Sequence, residues 1–300
     1  MFATAQKVFK QVTDKLSLGA ANIDHPKDPT VGDKVKFIKK VIAYILMRNL
    51  TNPFGLPWDK LQFISSAVLA EYYQCGNCGE QAALALYESL KSEADAKQIE
   101  IIKIKGFTQD NKSDSHDFVM INRTTPLDKP HELKGVVVLD TWEPTQKVLQ
   151  LNDEKSFDYM SLTSNYFKKI NDVSSLSKYI LPLKKEEYFE ITKCLSRFKF
   201  YLKFKKDEFL KLINEEHLNI NFEKDLPNII GKIEKEMEFW NQRFLQLSQK
   251  EDNIEVNKEK MQHPILGNIN NVTSQSPQRS APPADTAPLA SGNSALRFAR

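Results

Sequence analysis

The chain has 300 residues, of which 41% are hydrophobic and 27% are charged. This balance is ordinary for a globular protein, and the length allows one sizeable core and a smaller second unit. A net charge of +3 is too small to indicate nucleic acid as a partner. Three cysteines are too few for a disulfide framework, so we expect reduced thiols.

Neither export nor membrane insertion is indicated by the apolar segments. Residues 1–20 lack a continuous apolar region and a cleavage site, which argues against a secretory signal peptide. The most apolar run, Val41–Met47, is far shorter than the roughly 20 residues needed to span a bilayer. We therefore expect a soluble protein without a transmembrane segment.

Helices are predicted first along the chain, and strands follow them. Amphipathic periodicity indicates helices over residues 3–17, 33–50 and 58–73, and a fourth helix ending near Glu93. Helices followed by strands favour an α+β class over alternating βαβ units. Four strands are predicted from alternating or compact apolar runs, at residues 99–106, 115–123, 135–140 and 147–151.

The sequence changes character near residue 184. An apolar stripe at helical spacing extends over residues 188–213, and a second helix is predicted from Glu223 or Leu226 to about Gln249. We expect a helical hairpin that is either a separate subdomain or a flank on the α+β core.

The last part of the chain is rich in Pro, Ser, Ala, Asn and Gln, which predicts a disordered tail. The predicted organisation is therefore an α+β core with N-terminal helices at 1–180, a helical extension at 181–262 and the tail at 263–300.

The turn Gln74-Cys75-Gly76-Asn77-Cys78-Gly79-Glu80 combines loop residues with the start of a helix. Asn77 is a good N-cap residue, and Glu80 lies three positions later, the spacing of a reciprocal capping box. Cys78 is then the first helical residue, where unpaired N–H groups and the positive end of the helix dipole meet. A thiol there is expected to lose its proton readily, and the thiolate is the nucleophilic form.

A nucleophilic cysteine needs a base, and the base needs an orienting partner. His116 is the histidine that opens an apolar strand, so its side chain can be held rigidly. Asp140 ends another apolar strand, and Trp142 follows closely enough to shield an Asp–His pair from water. An aspartate on one ring nitrogen would fix the tautomer and favour an imidazolium that balances a thiolate. Asp114 and Asp117 are alternatives for the orienting carboxylate.

Three segments carry a family resemblance. They are Gly-Asn-Cys-Gly-Glu at 76–80, Ser-His-Asp-Phe-Val-Met-Ile at 115–121 and Val-Val-Leu-Asp-Thr-Trp at 137–142. Together they resemble the papain-like and transglutaminase-like superfamily of cysteine enzymes, in the form found among bacterial effector proteins. The resemblance covers roughly residues 50–150. It implies a papain/transglutaminase-like core in which the cysteine-bearing helix packs on an antiparallel sheet.

The same resemblance implies a catalytic triad. Cys78 would be the nucleophile, His116 the general base and acid, and Asp140 the orienting carboxylate. The activity would be thiol-dependent acyl transfer by a protease, a glutamine deamidase or a transglutaminase, without a metal or cofactor. The substrate would be a host protein, reached after delivery from the bacterial cytoplasm into the host cell.

The oxyanion of such a reaction would be met by the backbone N–H of Cys78 and one further donor. Gln74 is a side-chain candidate, although it equally suits a cap on the preceding helix. Asn77 is expected to be structural, as the N-cap of the cysteine helix.

Other readings of the sequence remain open. Cys75 and Cys78 form a C-x-x-C pair, which a thiol–disulfide protein would use, but such a site needs a strand directly before the motif. A zinc site would need a second C-x-x-C or a spaced histidine pair.

A binding module with a retired cysteine site would act through the helical extension. There, the aromatic and basic stretch Arg197–Lys206 suits either an amphipathic helix or peripheral contact with acidic lipid or a partner.

Overall fold

A computed structural model of the chain describes residues 1–21, 28–50, 56–92, 96–124, 126, 135–142, 147–151 and 167–262, with side chains up to residue 250. The described residues form seven helices and an antiparallel sheet of five strands, which confirms the α+β class. The elements in chain order are α1 Phe2–Lys15, α2 Val31–Leu50, α3 Trp58–Tyr73, α4 Cys78–Lys91, β1 Gln98–Thr108, β2 Ser113–Ile121, β3 Val136–Asp140, β4 Lys147–Leu151, β5 Phe167–Ile180, α5 Lys185–Phe204, α6 Lys206–Glu215 and α7 Phe222–Gln262.

The strands are ordered β4-β3-β2-β1-β5, so β2 lies at the centre of the sheet. β2 pairs with β1 along its whole length, but its pairing with β3 stops at Val119 opposite Leu139. Because the strands are antiparallel, the segments beyond this pair run to the same end of the sheet. His116 of β2 and Asp140 of β3 both lie there.

Both faces of the sheet are buried, and they belong to different apolar clusters. Val119 and Ile121 of β2 join the large core that the helices build. Phe118 and Met120 belong to a smaller cluster on the opposite face. Since successive side chains of a strand alternate between faces, His116 shares the face of Phe118, and Asp117 lies on the face of the helices.

The helices that follow the sheet contribute to the large core. Ile191, Leu195 and Phe198 of α5 are fully buried in it, as is Trp240 of α7 at 1% exposure. Contacts group Met1–Asp252 into one compact unit, and a second unit begins at Asn253 within α7. The predicted tail at 263–300 lies outside the described residues.

β5 was not among the predicted strands. Its sequence from Phe167 to Ile180 is mostly polar, and most of its side chains are partly or fully exposed. Three of its side chains are buried, those of Phe167, Ser177 and Tyr179, which is too few to produce a continuous apolar alternation. Its pairing with β1 stabilises the strand.

The helical extension also differs from its prediction. The stripe over residues 188–213 is not one helix, because α5 ends at Phe204 and α6 begins at Lys206. The last helix begins at Phe222 and continues past the predicted end at Gln249 to Gln262. Among the described residues, no helix combines the length and apolar character that crossing a bilayer requires.

Candidate active site

Cys78 is the first residue of α4, as the capping pattern predicted. Asn77 is the N-cap and forms a capping box with Glu80, whose carboxylate accepts the Asn77 N–H at 2.9 Å. The Asn77 side chain also accepts the Ala21 N–H at 3.0 Å, which fastens the cysteine turn to the segment after α1. The side-chain amide of Gln81 donates to the carbonyl of Gly76 at 2.7 Å and stabilises the turn further. Asn77 is therefore a structural residue in this turn.

The thiol of Cys78 contacts β2, the central strand, close to the N-terminal end of that strand. Cys78 is partly exposed, and its Sγ donates to the Ser115 carbonyl at 3.6 Å, directly beside His116. The backbone N–H groups of Cys78 and Gly79 lie in the first helical turn, where they have no acceptor within the helix. This is the position at which an oxyanion would be stabilised.

His116 and Asp140 form a buried pair. The Nε2 of His116 lies 2.8 Å from Oδ2 of Asp140, and the two side chains are 1% and 0% exposed. The other carboxylate oxygen, Oδ1, accepts the Trp142 N–H at 3.2 Å, which fixes the carboxylate plane. Nδ1 of His116 is buried and has no hydrogen-bond partner. The imidazole is thus held through one nitrogen, and the other is available.

Trp142 covers the pair, as its position in the sequence suggested. Its ring centroid lies 4.9 Å from that of His116, and the indole is only 2% exposed. Phe118 packs on the same imidazole at 5.9 Å. These rings keep water from the hydrogen bond between His116 and Asp140, which strengthens it.

The pKa of His116 is raised from 6.5 to about 10. Burial by itself lowers the pKa, because it disfavours the charged ring. The carboxylate of Asp140 outweighs this effect through its charge and hydrogen bond, and the Cys78 thiol adds to it in the same direction. The site therefore favours an imidazolium between a carboxylate and a sulfur.

Gln74 makes its contacts with α3 and with the segment after α1. It ends α3 in the left-handed conformation, with φ at 57°, and its backbone N–H bonds to the Ala70 carbonyl. Its exposed side chain accepts from the Ser17 hydroxyl at 2.7 Å. These contacts favour the role of a helix cap over that of an oxyanion donor.

A pocket of about 530 Å³ opens beside Cys78 on the face of the helices. Cys78 lines this pocket, whereas His116, Asp140 and Trp142 do not. Asp117, which the sequence offered as an alternative partner for His116, lines the pocket instead. Burial raises its pKa, and Lys103, 3.7 Å away, acts against that rise. The alternation of β2 was the signal that could have assigned Asp117 to this face.

Two other groups considered from the sequence do not join the site. Cys75 is fully buried, and burial raises its pKa to about 12. His217 is exposed in the turn after α6, and His25, His131 and His263 lie outside the described residues. Within the described part of the chain, no group of His, Cys, Asp and Glu side chains is placed to hold a metal ion.

Gly76 is predicted to be essential to the geometry of the cysteine turn. A Cβ at this position would lie 2.6 Å from the Cβ of Glu80, so alanine must displace the capping box. We expect Gly76→Ala to lower the free energy of unfolding by about 1–3 kcal/mol, measured by urea unfolding. The matched control is Gly231→Ala in α7, where a Cβ meets nothing within 4 Å. It should stabilise the protein by about 0.5–1 kcal/mol. Equal responses of the two variants would contradict the prediction.

Comparison of the chain with models of protein families, with curated proteins and with solved structures gives no match.

Proposed function

We propose that this protein is a thiol-dependent acyl-transfer enzyme with a papain/transglutaminase-like core. Cys78 is its nucleophile, His116 its general base and acid, and Asp140 the carboxylate that orients the imidazole. One observation carries the proposal. The Nε2 of the buried His116 imidazole lies 2.8 Å from the Asp140 carboxylate, and its Nδ1 has no hydrogen-bond partner. The Cys78 thiol raises the pKa of the same imidazole.

The proposed mechanism uses these contacts. His116 takes the proton of Cys78, and the thiolate attacks the carbonyl carbon of an amide held in the pocket. The N–H groups at the start of α4 stabilise the oxyanion, and the imidazolium then protonates the departing amine. A thioester with Cys78 remains. Water or an amine resolves it, which gives proteolysis, deamidation or transglutamination.

A protein is the substrate that we propose, because the pocket lies open beside a partly exposed thiol and the chemistry needs an amide. That the substrate is a host protein, met after delivery from a bacterium, rests on the resemblance of residues 50–150 to effector-type cysteine enzymes.

A thiol–disulfide function has less support. The C-x-x-C pair is preceded by the helix α3, which ends at Tyr73, and no strand leads into it. Cys75 is fully buried, and its raised pKa of about 12 disfavours the thiolate that disulfide exchange requires.

Alkylation by iodoacetamide across a range of pH tests the proposal without a known substrate. We expect Cys78 to react rapidly at neutral pH, because the reagent reports on the thiolate that an imidazolium stabilises. His116→Ala should slow this reaction by about tenfold or more. Cys75 and Cys194, both buried, serve as internal references and should react slowly in every variant. The modified residue and its rate are read by mass spectrometry of peptides.

Two results would contradict the proposal. Cys78 could react no faster than a free thiol, or His116→Ala could leave its rate unchanged. Either result would favour the binding module, which predicts that Cys78→Ala preserves the biological effect and that changes on the apolar stripe over residues 188–213 abolish it.

A further inference from the structure

Asp117 is an acid that the proposed mechanism does not use. It lines the pocket together with Cys78, and only 8% of it is exposed. Its Oδ1 is buried and has no hydrogen-bond partner. Lys103 forms an ion pair with that oxygen at 3.7 Å, which is beyond hydrogen-bond distance. A buried carboxylate oxygen without a donor is unfavourable, so the site is suited to a ligand that supplies an N–H.

The carboxylate lies directly against the start of α4. A Cβ placed on Gly79 would be 3.2 Å from Oδ2 of Asp117, so a larger residue there would crowd it. Gly79 is the neighbour of the nucleophile in the chain. A substrate that reaches the sulfur of Cys78 therefore comes close to Asp117.

The charges around the pocket indicate an uncharged donor. The acids Asp59, Glu80 and Asp117 line it, and so do the lysines Lys39, Lys103 and Lys105. Lys103 already offsets the charge of Asp117, and Lys39 acts on the same carboxylate. An ammonium group would meet these lysines, whereas an amide N–H would gain the hydrogen bond without that repulsion.

We propose that Asp117 is the residue that selects a primary carboxamide, the group carried by glutamine and asparagine side chains, and that the enzyme is a deamidase. This inference rests on the proposed function of Cys78 and His116. Consecutive side chains of β2 point to opposite faces, so the leaving nitrogen at Cys78 lies between His116 and Asp117. A primary amide presents hydrogen on both sides of that nitrogen, whereas a peptide bond would direct a carbon substituent at one of them.

The reaction consumes only the carboxamide and water. A C–S bond forms between Cys78 and the carboxamide carbon, the C–N bond breaks, and ammonia leaves with a proton from His116. Water then attacks the thioester, a C–O bond forms, the C–S bond breaks, and His116 recovers a proton. The carboxylic acid product ionises, has no N–H for Asp117, and is repelled by its carboxylate, which favours release.

Two alkylating reagents of nearly equal size test this assignment. Iodoacetamide carries a primary carboxamide and iodoacetate a carboxylate. We expect Cys78 to prefer iodoacetamide more strongly than free cysteine does in the same buffer. Asp117→Asn should lower the ratio of the two rates by at least about tenfold, chiefly by accelerating iodoacetate. Asp114→Asn, an exposed charge change on the same strand, should leave the ratio unchanged.

The outcomes separate this inference from the proposed function. If Asp117→Asn leaves the ratio of rates unchanged while His116→Ala still slows both reagents, Asp117 has no role in selection and the acyl-transfer proposal stands. If His116→Ala slows neither reagent but Asp117→Asn changes the ratio, the recognition stands and the catalytic proposal fails. Circular dichroism of each variant establishes that it is folded.

A protection experiment identifies the side chain that the site recognises. N-acetylglutamine methylamide and N-acetylasparagine methylamide are added in turn before iodoacetamide. Protection of Cys78 by the first compound assigns glutamine, and protection by the second assigns asparagine. Equal protection by N-acetylalanine methylamide, which has no side-chain carboxamide, would overturn the assignment.

Discussion

Replacing Asp140 with alanine is expected to lower the free energy of unfolding by about 2–3 kcal/mol and to slow the alkylation of Cys78 at neutral pH at least about tenfold. Asp140 is fully buried and accepts from His116 at 2.8 Å and from the Trp142 N–H at 3.2 Å. Alanine removes the acceptor of both hydrogen bonds from a buried site. Urea unfolding at neutral pH and the rate of iodoacetamide labelling measure the two effects.

The isosteric variant Asp140→Asn separates charge from hydrogen bonding. Asparagine can still accept from Trp142, but it no longer holds the imidazole in its charged form. In the folded wild-type protein burial lowers the pKa of His116, but Asp140 and then Cys78 more than offset this and raise it from 6.5 to about 10. A raised folded-state pKa stabilises the protein fully below pH 6.5, and this stabilisation is lost as the pH rises through 10.

The difference in unfolding free energy between wild type and Asp140→Asn should therefore shrink between pH 6.5 and pH 10. The measurement is a series of urea unfolding curves across that range. A difference that stays constant, or that grows with pH, would show that His116 is not held as an imidazolium by Asp140.

Replacing Arg123 with methionine is expected to lower the free energy of unfolding by about 3–5 kcal/mol. Its guanidinium donates to both carboxylate oxygens of Glu100, at 2.6 and 2.7 Å, and Glu100 is fully buried in β1. Ser175 and Gln98 complete the site with further hydrogen bonds at 2.8 and 2.9 Å. Methionine keeps the length of the side chain but leaves the charge of Glu100 without its counterion.

Two control variants are compared with Arg123→Met. The double variant Glu100→Met with Arg123→Met should regain part of the lost stability, because it removes the buried charge that has lost its counterion. The recovery is incomplete because Gln98 and Ser175 lose the carboxylate as their acceptor. Lys211→Met removes an exposed ion pair to Glu215 at 3.6 Å and should leave the unfolding curve nearly unchanged. If Arg123→Met costs no more than Lys211→Met, the buried pair does not stabilise the sheet.

The pair of Glu100 and Arg123 also tests whether the stability of the sheet and the reactivity of Cys78 are independent. Arg123 follows the C-terminal end of β2, whereas His116 lies toward the other end of that strand. We expect the folded fraction of Arg123→Met to be alkylated at Cys78 at the wild-type rate. The stability of the sheet and the reactivity of the thiol are thus separable.

The sequence by itself determined the elements whose signals are local. The bounds predicted for the helix over residues 58–73 are those of α3, and the spacing of Asn77 and Glu80 predicted the capping box that places Cys78 at the start of α4. Caps and apolar periodicity depend on residues within a turn or two, so they can be read directly. The ends of two apolar strands likewise indicated His116 and Asp140 as a pair, which lie 2.8 Å apart.

Tertiary structure alone decided the features that depend on distant partners. β5 is an edge strand with a polar sequence, and it exists through its pairing with β1. The sequence allows two roles for Gln74, and the hydrogen bond that its side chain accepts comes from Ser17, far earlier in the chain. Asp117 became significant because it lines a pocket with side chains of α2, α3 and β5, and its buried Oδ1 has no hydrogen-bond partner. Whether a buried polar atom finds a partner is settled by packing between elements, and no local pattern in the sequence encodes it.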